Sequence, residues 1–93
     1  MAGKRGRLEI SADILKVAMD GAKKSHIIYK ANLNFELGTK YLDQLKDYGL
    51  IQGPSDRDRA FHTTKKGVEY LMHFEDLKEL RGEANTVTKS WGT

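Results

Sequence analysis

The side chains able to carry chemistry are scattered along this chain. Its histidines, His26, His62 and His73, stand at no metal-ligand spacing such as His-Glu-x-x-His. Asp56-Arg57-Asp58 begins in the manner of a calcium loop, but the glycine and closing glutamate of such a loop are missing. There is no glycine-rich phosphate loop, and no pair of carboxylates is spaced for general acid–base work. The absence of cysteine removes thiolate nucleophiles, zinc thiolates and disulfides together. No enzyme activity, catalytic residue, metal, other cofactor or small-molecule substrate is therefore expected.

What remains is cationic. Lys4, Arg5 and Arg7 give residues 1–7 a net +3, and Lys23, Lys24 and Lys30 give residues 23–33 another +3. The whole 93-residue chain also sums to +3, because the segments between are neutral or slightly acidic. Two local clusters suit a phosphate-contacting surface, since each neutralised phosphate releases condensed counterions. The plain alternative is that short basic tails are common on soluble proteins and need no partner.

A chain this short supports one domain, because a second would have too few residues to bury a core. No apolar run approaches the ~20 residues of a membrane span, and no apolar stretch follows the basic N-terminus as in a secretory signal. A cytoplasmic protein with no membrane partner is expected. Residues 1–7 lack periodicity and read as a flexible basic arm. Ile10, Ile14, Val17 and Ala18 then recur at helical spacing until Gly21 closes the helix. Ser25 reads as the N-cap of a short second helix carrying Ile27, Ile28 and Ala31. Asn34 reads as the cap of a third, with Leu37, Tyr41, Leu42, Leu45 and Tyr48 in one arc and Gly49 at its end. Leu50-Ile51-Gln52 and Ala60–Thr63 form a hairpin around Asp56-Arg57-Asp58-Arg59. Thr64 caps a last helix over 65–81, and the tail 83–93 is expected to be disordered.

The result is mainly α with a small β-wing. Its order, helix-helix-helix-hairpin-helix over residues 8–82, is that of a winged helix-turn-helix. In that arrangement two helices brace a third, whose outer face can enter a major groove, while the wing reaches the flank.

Particular residues strengthen the pattern. Arg7-Leu8-Glu9-Ile10, Ile28-Tyr29-Lys30-Ala31-Asn32-Leu33, Tyr41-Leu42 with Leu45, Gly49-Leu50-Ile51 and Thr64-Lys65-Lys66-Gly67 resemble the archaeal single-domain winged-helix family. That family includes small crenarchaeal DNA-binding proteins that dimerise through a long C-terminal helix paired in an antiparallel coiled coil. The resemblance runs from residue 5 to about residue 80. It implies double-stranded DNA binding as a homodimer, in a regulatory or chromatin role, in an archaeal cytoplasm. The chain departs from that pattern in a shorter last helix, ending near Arg81 or Gly82, and in an acidic outer face on helix three.

Residue by residue, the DNA-contacting candidates are Lys4, Arg5 and Arg7 of the arm, Lys23, Lys24 and Lys30 around helix two, and Asn34, Phe35, Thr39 and Lys40 at the start of helix three. Asn34 and Thr39 can bond base edges and Phe35 can touch a thymine methyl; Asn34 reads more readily as a cap. Glu36 can accept from cytosine or complement the helix dipole. Tyr29 reads as a core aromatic with its hydroxyl at the surface. Arg57 and Arg59 at the wing tip either enter a minor groove or are neutralised by Asp56 and Asp58. The last helix carries two apolar arcs. Val68, Leu71 and Met72 form one; Tyr70, Phe74, Leu77 and Leu80 form the other, read as the dimer interface. The expected function is duplex DNA binding, sequence-dependent or general, by a homodimeric transcriptional regulator or chromatin-associated protein. The alternative is a winged-helix protein-interaction module that does not bind DNA directly.

Overall fold

The computed structural model describes residues 6–80. Helix α1 (Arg7–Ala18) starts where the Glu9 carboxylate accepts the Gly6 backbone N–H at 3.1 Å, half of a capping box. Arg7 is thus the first helical residue rather than part of an arm, while Lys4 and Arg5 lie outside the described residues. Ile10, Ala12, Ile14, Leu15 and Ala18 are buried, and α1 is the helix against which α2, α3, α4 and β3 all pack.

Helix α2 (Lys24–Lys30) follows a two-residue strand, β1 (Ala22–Lys23), that sequence periodicity does not reveal. The cap position belongs to Lys23, so Ser25 stands inside the first turn and does not cap the helix. After α2 the chain turns through Asn32 in the left-handed region (φ 58). Helix α3 (Phe35–Asp47) begins with the expected cap: Asn34 Oδ1 accepts the Leu37 N–H at 2.8 Å. Gly38 is what lets α2 and α3 cross closely, since a Cβ there would lie 2.5 Å from Ile28 Cγ1. The core takes Gly38, Leu42 and Leu45 from α3, with Tyr41 packed at its edge. Leu37 and Tyr48, expected in the same apolar arc, are exposed, because the helix is rotated to seat Gly38 on α2.

Strands β2 (Ile51–Gln52) and β3 (Ala60–Thr63) form the wing. The sheet is antiparallel in the order β1-β3-β2, pairing Lys23 with Ala60 and Ile51 with Thr63. Thr63 donates its hydroxyl to the Leu15 carbonyl at 2.7 Å, tying the sheet to α1. Thr64 caps α4 (Lys65–Leu80) as expected, its Oγ1 accepting the Gly67 N–H at 3.1 Å and donating to Gly49 O at 2.7 Å.

The two arcs of α4 divide differently from the sequence reading. Gly67, Leu71 and Phe74 are buried and Tyr70 packs at the core margin. Met72, Leu77 and Leu80 are exposed. Phe74 is therefore a core residue rather than an exposed interface residue, and Tyr70 is only partly available. The reason is α1, which lies along α4 and draws in the flank holding both Leu71 and Phe74. Among the described residues no helix is long and apolar enough to cross a membrane.

Candidate nucleic-acid interface

Pairing of β1 with β3 sets Lys23 opposite Ala60 and hence beside Arg59. Lys24 opens α2, and its Nζ sits 4.6 Å from the centroid of the exposed Phe35 ring at the start of α3, a cation–π contact. Arg59 is held in the left-handed region (φ 61), its N–H donating to Ser55 O at 2.9 Å. These constraints converge on one open groove of about 460 Å³ between α3 and the wing. Its apolar lining comes from Phe35, Leu42, Pro54 and Phe61; its polar lining is Lys23, Lys24, Lys46, Arg59 and Ser25, with Asp43 the one carboxylate.

Lys46 was not among the residues singled out by type and charge cluster. The signal for it lies in the helical wheel: eleven residues after Phe35, it returns to within about 20° of the same direction. Sequence charge counting hides this, because Lys46 is surrounded in the chain by Asp43 and Asp47.

The wing turn is held by hydrogen bonds of its own. Ser55 donates its hydroxyl to Asp58 Oδ1, which also accepts the Ala60 N–H at 3.1 Å. These two hydrogen bonds, with a smaller contribution from His62, hold the Asp58 carboxyl below its ordinary pKa even though it is exposed. Asp58 is therefore engaged in shaping the turn, and neither Arg57 nor Arg59 is ion-paired with a described residue.

The remaining candidates distribute over other surfaces. Asn34 commits its oxygen to the cap, and Thr39 donates its hydroxyl to Phe35 O at 2.9 Å. Lys40 faces away from the groove and lines a separate hollow with Arg7, Leu37, Tyr41 and Gln44. Lys30 and Arg57 are exposed. Tyr29 is 77% exposed and is not a core aromatic; the buried faces of α2 go to Ile27 and Ile28. His26 and His73 are exposed, His62 lies on β3, and no group of three metal-ligating side chains occurs among the described residues.

Comparison with known proteins agrees with this architecture. The winged helix-turn-helix family matches residues 4–82. Among solved structures, the chain is similar to Sso10a-2, a DNA-binding protein from Sulfolobus solfataricus. The identity is 29%, over 95% of this chain and 94% of that one, with a TM-score of 0.74. It also shares its fold with a MarR family regulator from Neisseria meningitidis at 20% identity, over 88% of this chain and 66% of that one, with a TM-score of 0.54. No curated protein matches the chain.

Proposed function

This chain belongs to the winged helix-turn-helix family, and we propose that it binds double-stranded DNA without a cofactor, as a transcriptional regulator or chromatin-associated protein. The observation that carries this reading is the groove between α3 and the wing, where Lys23, Lys24, Lys46 and Arg59 surround a single acid, Asp43. Phosphate is the ligand such a surface suits. The likeness to the DNA-binding Sso10a-2, which runs nearly the length of both chains, supports it, and its Sulfolobus source supports an archaeal, nucleoid-associated setting.

In this reading α3 approaches the major groove with its N-terminal end, where Phe35 and Thr39 lie. The wing tip, Arg57 and Arg59, reaches the flank. Lys30, the Arg7–Lys40 pair and the basic residues Lys4 and Arg5 add phosphate contacts. A gel-shift titration with random duplex at two salt concentrations tests it. Binding that weakens steeply as salt rises is expected; no binding at low salt would sink the proposal. That outcome would favour the protein-interaction reading, for which the exposed acids Glu36, Asp43 and Asp47 of α3 are the supporting observation.

The protein acts as a homodimer in this proposal. Leu77 and Leu80 of α4 and Leu8 of α1 are all exposed, and Leu8 and Leu77 line one shallow hollow with the edge of Phe74. Exposed leucines gathered at one end of two packed helices are a surface that a second copy can cover. Sedimentation at micromolar concentration should return twice the 10.5 kDa chain mass. A monomeric mass would defeat the dimer and leave DNA binding standing.

A further inference from the structure

We propose that Lys23, Lys24, Lys46 and Arg59 form a track for the phosphates of one DNA strand, running between α3 and the wing, with Asp43 set in it as a countercharge. The inference rests on the DNA-binding reading and adds to it a path, a residue that charge clusters in the sequence do not single out and a residue of opposite effect.

The lining defines the ligand chemistry. Apart from Asp43, the polar side chains on the rim are two kinds of cation and the Ser25 hydroxyl; ammonium and guanidinium groups only donate hydrogen bonds, and the hydroxyl can donate as well. Base edges present donors and acceptors mixed, whereas phosphate oxygens present acceptors alone. A donor-rich rim therefore suits backbone better than bases. None of the four cations is ion-paired with a described residue, so no carboxylate must be displaced before they meet a phosphate; Lys24 alone has another partner, the Phe35 ring.

The place of the groove gives the path. A phosphate ridge separates the major groove of a duplex from the adjacent minor groove. When α3 enters the first and the wing tip reaches the second, that ridge must pass between them, where this groove lies. Phe35 and Lys46 are eleven residues apart on α3, or about 16 Å of helix axis. At 3.4 Å of rise along the duplex axis per nucleotide in each strand, that length corresponds to roughly five nucleotides.

Asp43 stands three residues before Lys46 on the same side of α3. Its carboxylate repels any phosphate in the track, so it limits affinity while leaving the cations in place. Farther round α3 Glu36 and Asp47 repel backbone as well, so Lys40 is the one cation of α3 on that flank while the wing side gathers four cations around one acid.

Random-duplex titrations at several salt concentrations test the track with three single-residue variants. Lys46→Gln should weaken binding to every sequence about three- to tenfold and lower the slope of log affinity against log salt by about one. Asp43→Asn should tighten binding by a comparable factor, a direction that damage to the fold cannot imitate. Lys16→Gln makes the same change in net charge on the α1–α4 side, where Lys16 pairs with Glu75 at 3.2 Å; its binding should match wild type within about twofold. If Lys46→Gln behaves as Lys16→Gln does, or if Asp43→Asn weakens binding, the track is wrong while DNA binding survives. If the wild-type protein fails to bind at low salt, the underlying reading fails instead.

Discussion

The side of the molecule built from α2, α3 and the wing treats its charges differently from the side built from α1 and α4. On the first, four cations ring a groove with one carboxylate between them and no ion pair to a described residue. On the second, Lys16 and Lys78 both reach Glu75, at 3.2 and 4.0 Å, and the surface left over is apolar at Leu8, Leu77 and Leu80. Lysines that already satisfy one another's counterions gain little from an external anion. Unpaired ones are open to phosphate. One side is thus suited to nucleic acid and the other to protein, and the modest total of +3 says nothing about that division.

The largest expected effect tests the apolar side. Phe74→Ala should cost about 3–5 kcal/mol of unfolding free energy, because it opens a cavity in the core. Leu80→Ala, measured in dilute solution, should stay within about 0.5 kcal/mol of wild type. Chemical denaturation separates the two; equal losses would mean that Leu80 is buried within one chain as Phe74 is.

A smaller effect is expected on DNA binding from the basic N-terminus. Removing residues 1–5 takes away Lys4 and Arg5 and should weaken duplex binding about tenfold near 0.2 M salt, lowering the salt slope by about two. An unchanged slope would exclude these residues from DNA contact.

The smallest effect concerns the wing turn. Asp58 is held below its ordinary pKa first by the Ser55 hydroxyl and then by the Ala60 N–H. A depressed carboxyl stabilises the fold above its unfolded value, about 3.9, and that contribution is lost as pH falls through the lower folded value. Amide exchange at Ala60 should therefore show protection independent of Asp58 titration from pH 6 to 8 and loss of protection only in acid below about pH 4. Loss already at neutral pH would mean that the Asp58 carboxylate does not hold the turn.

Much of the fold could be read from local signals. Asn34 and Thr64 cap their helices because a short oxygen-bearing side chain can reach an unpaired N–H two or three residues on. Gly21 and Gly49 end theirs with left-handed backbone. The failures share a different origin. Strand β1 is two residues long and exists because β3 offers it a partner, so no periodicity announces it. Ser25 lost the cap to Lys23 for the same reason: pairing with Ala60 fixes Lys23 in extended backbone and the helix starts directly after it. Phe74 groups by sequence with Tyr70, Leu77 and Leu80 in one of two apolar arcs, and nothing local decides which residues of the two arcs α1 covers.

The candidate site divides in the same manner. The helix-turn-helix order, the wing and the cation-rich segment around Lys23 and Lys24 are properties of composition and spacing, legible because hydrophobic period and capping chemistry act within a few residues. The groove is not local. It needs the β1–β3 pairing to bring Lys23 to Arg59, the α2–α3 crossing at Gly38 to bring Lys24 to Phe35, and the rotation of α3 that turns Lys46 toward the wing and Lys40 away from it. Amino-acid types determined that this chain would make a small winged helix with basic segments. Tertiary packing alone decided which cations share a surface, because residues from 23 to 59 meet only once their backbones have been paired and their helices crossed.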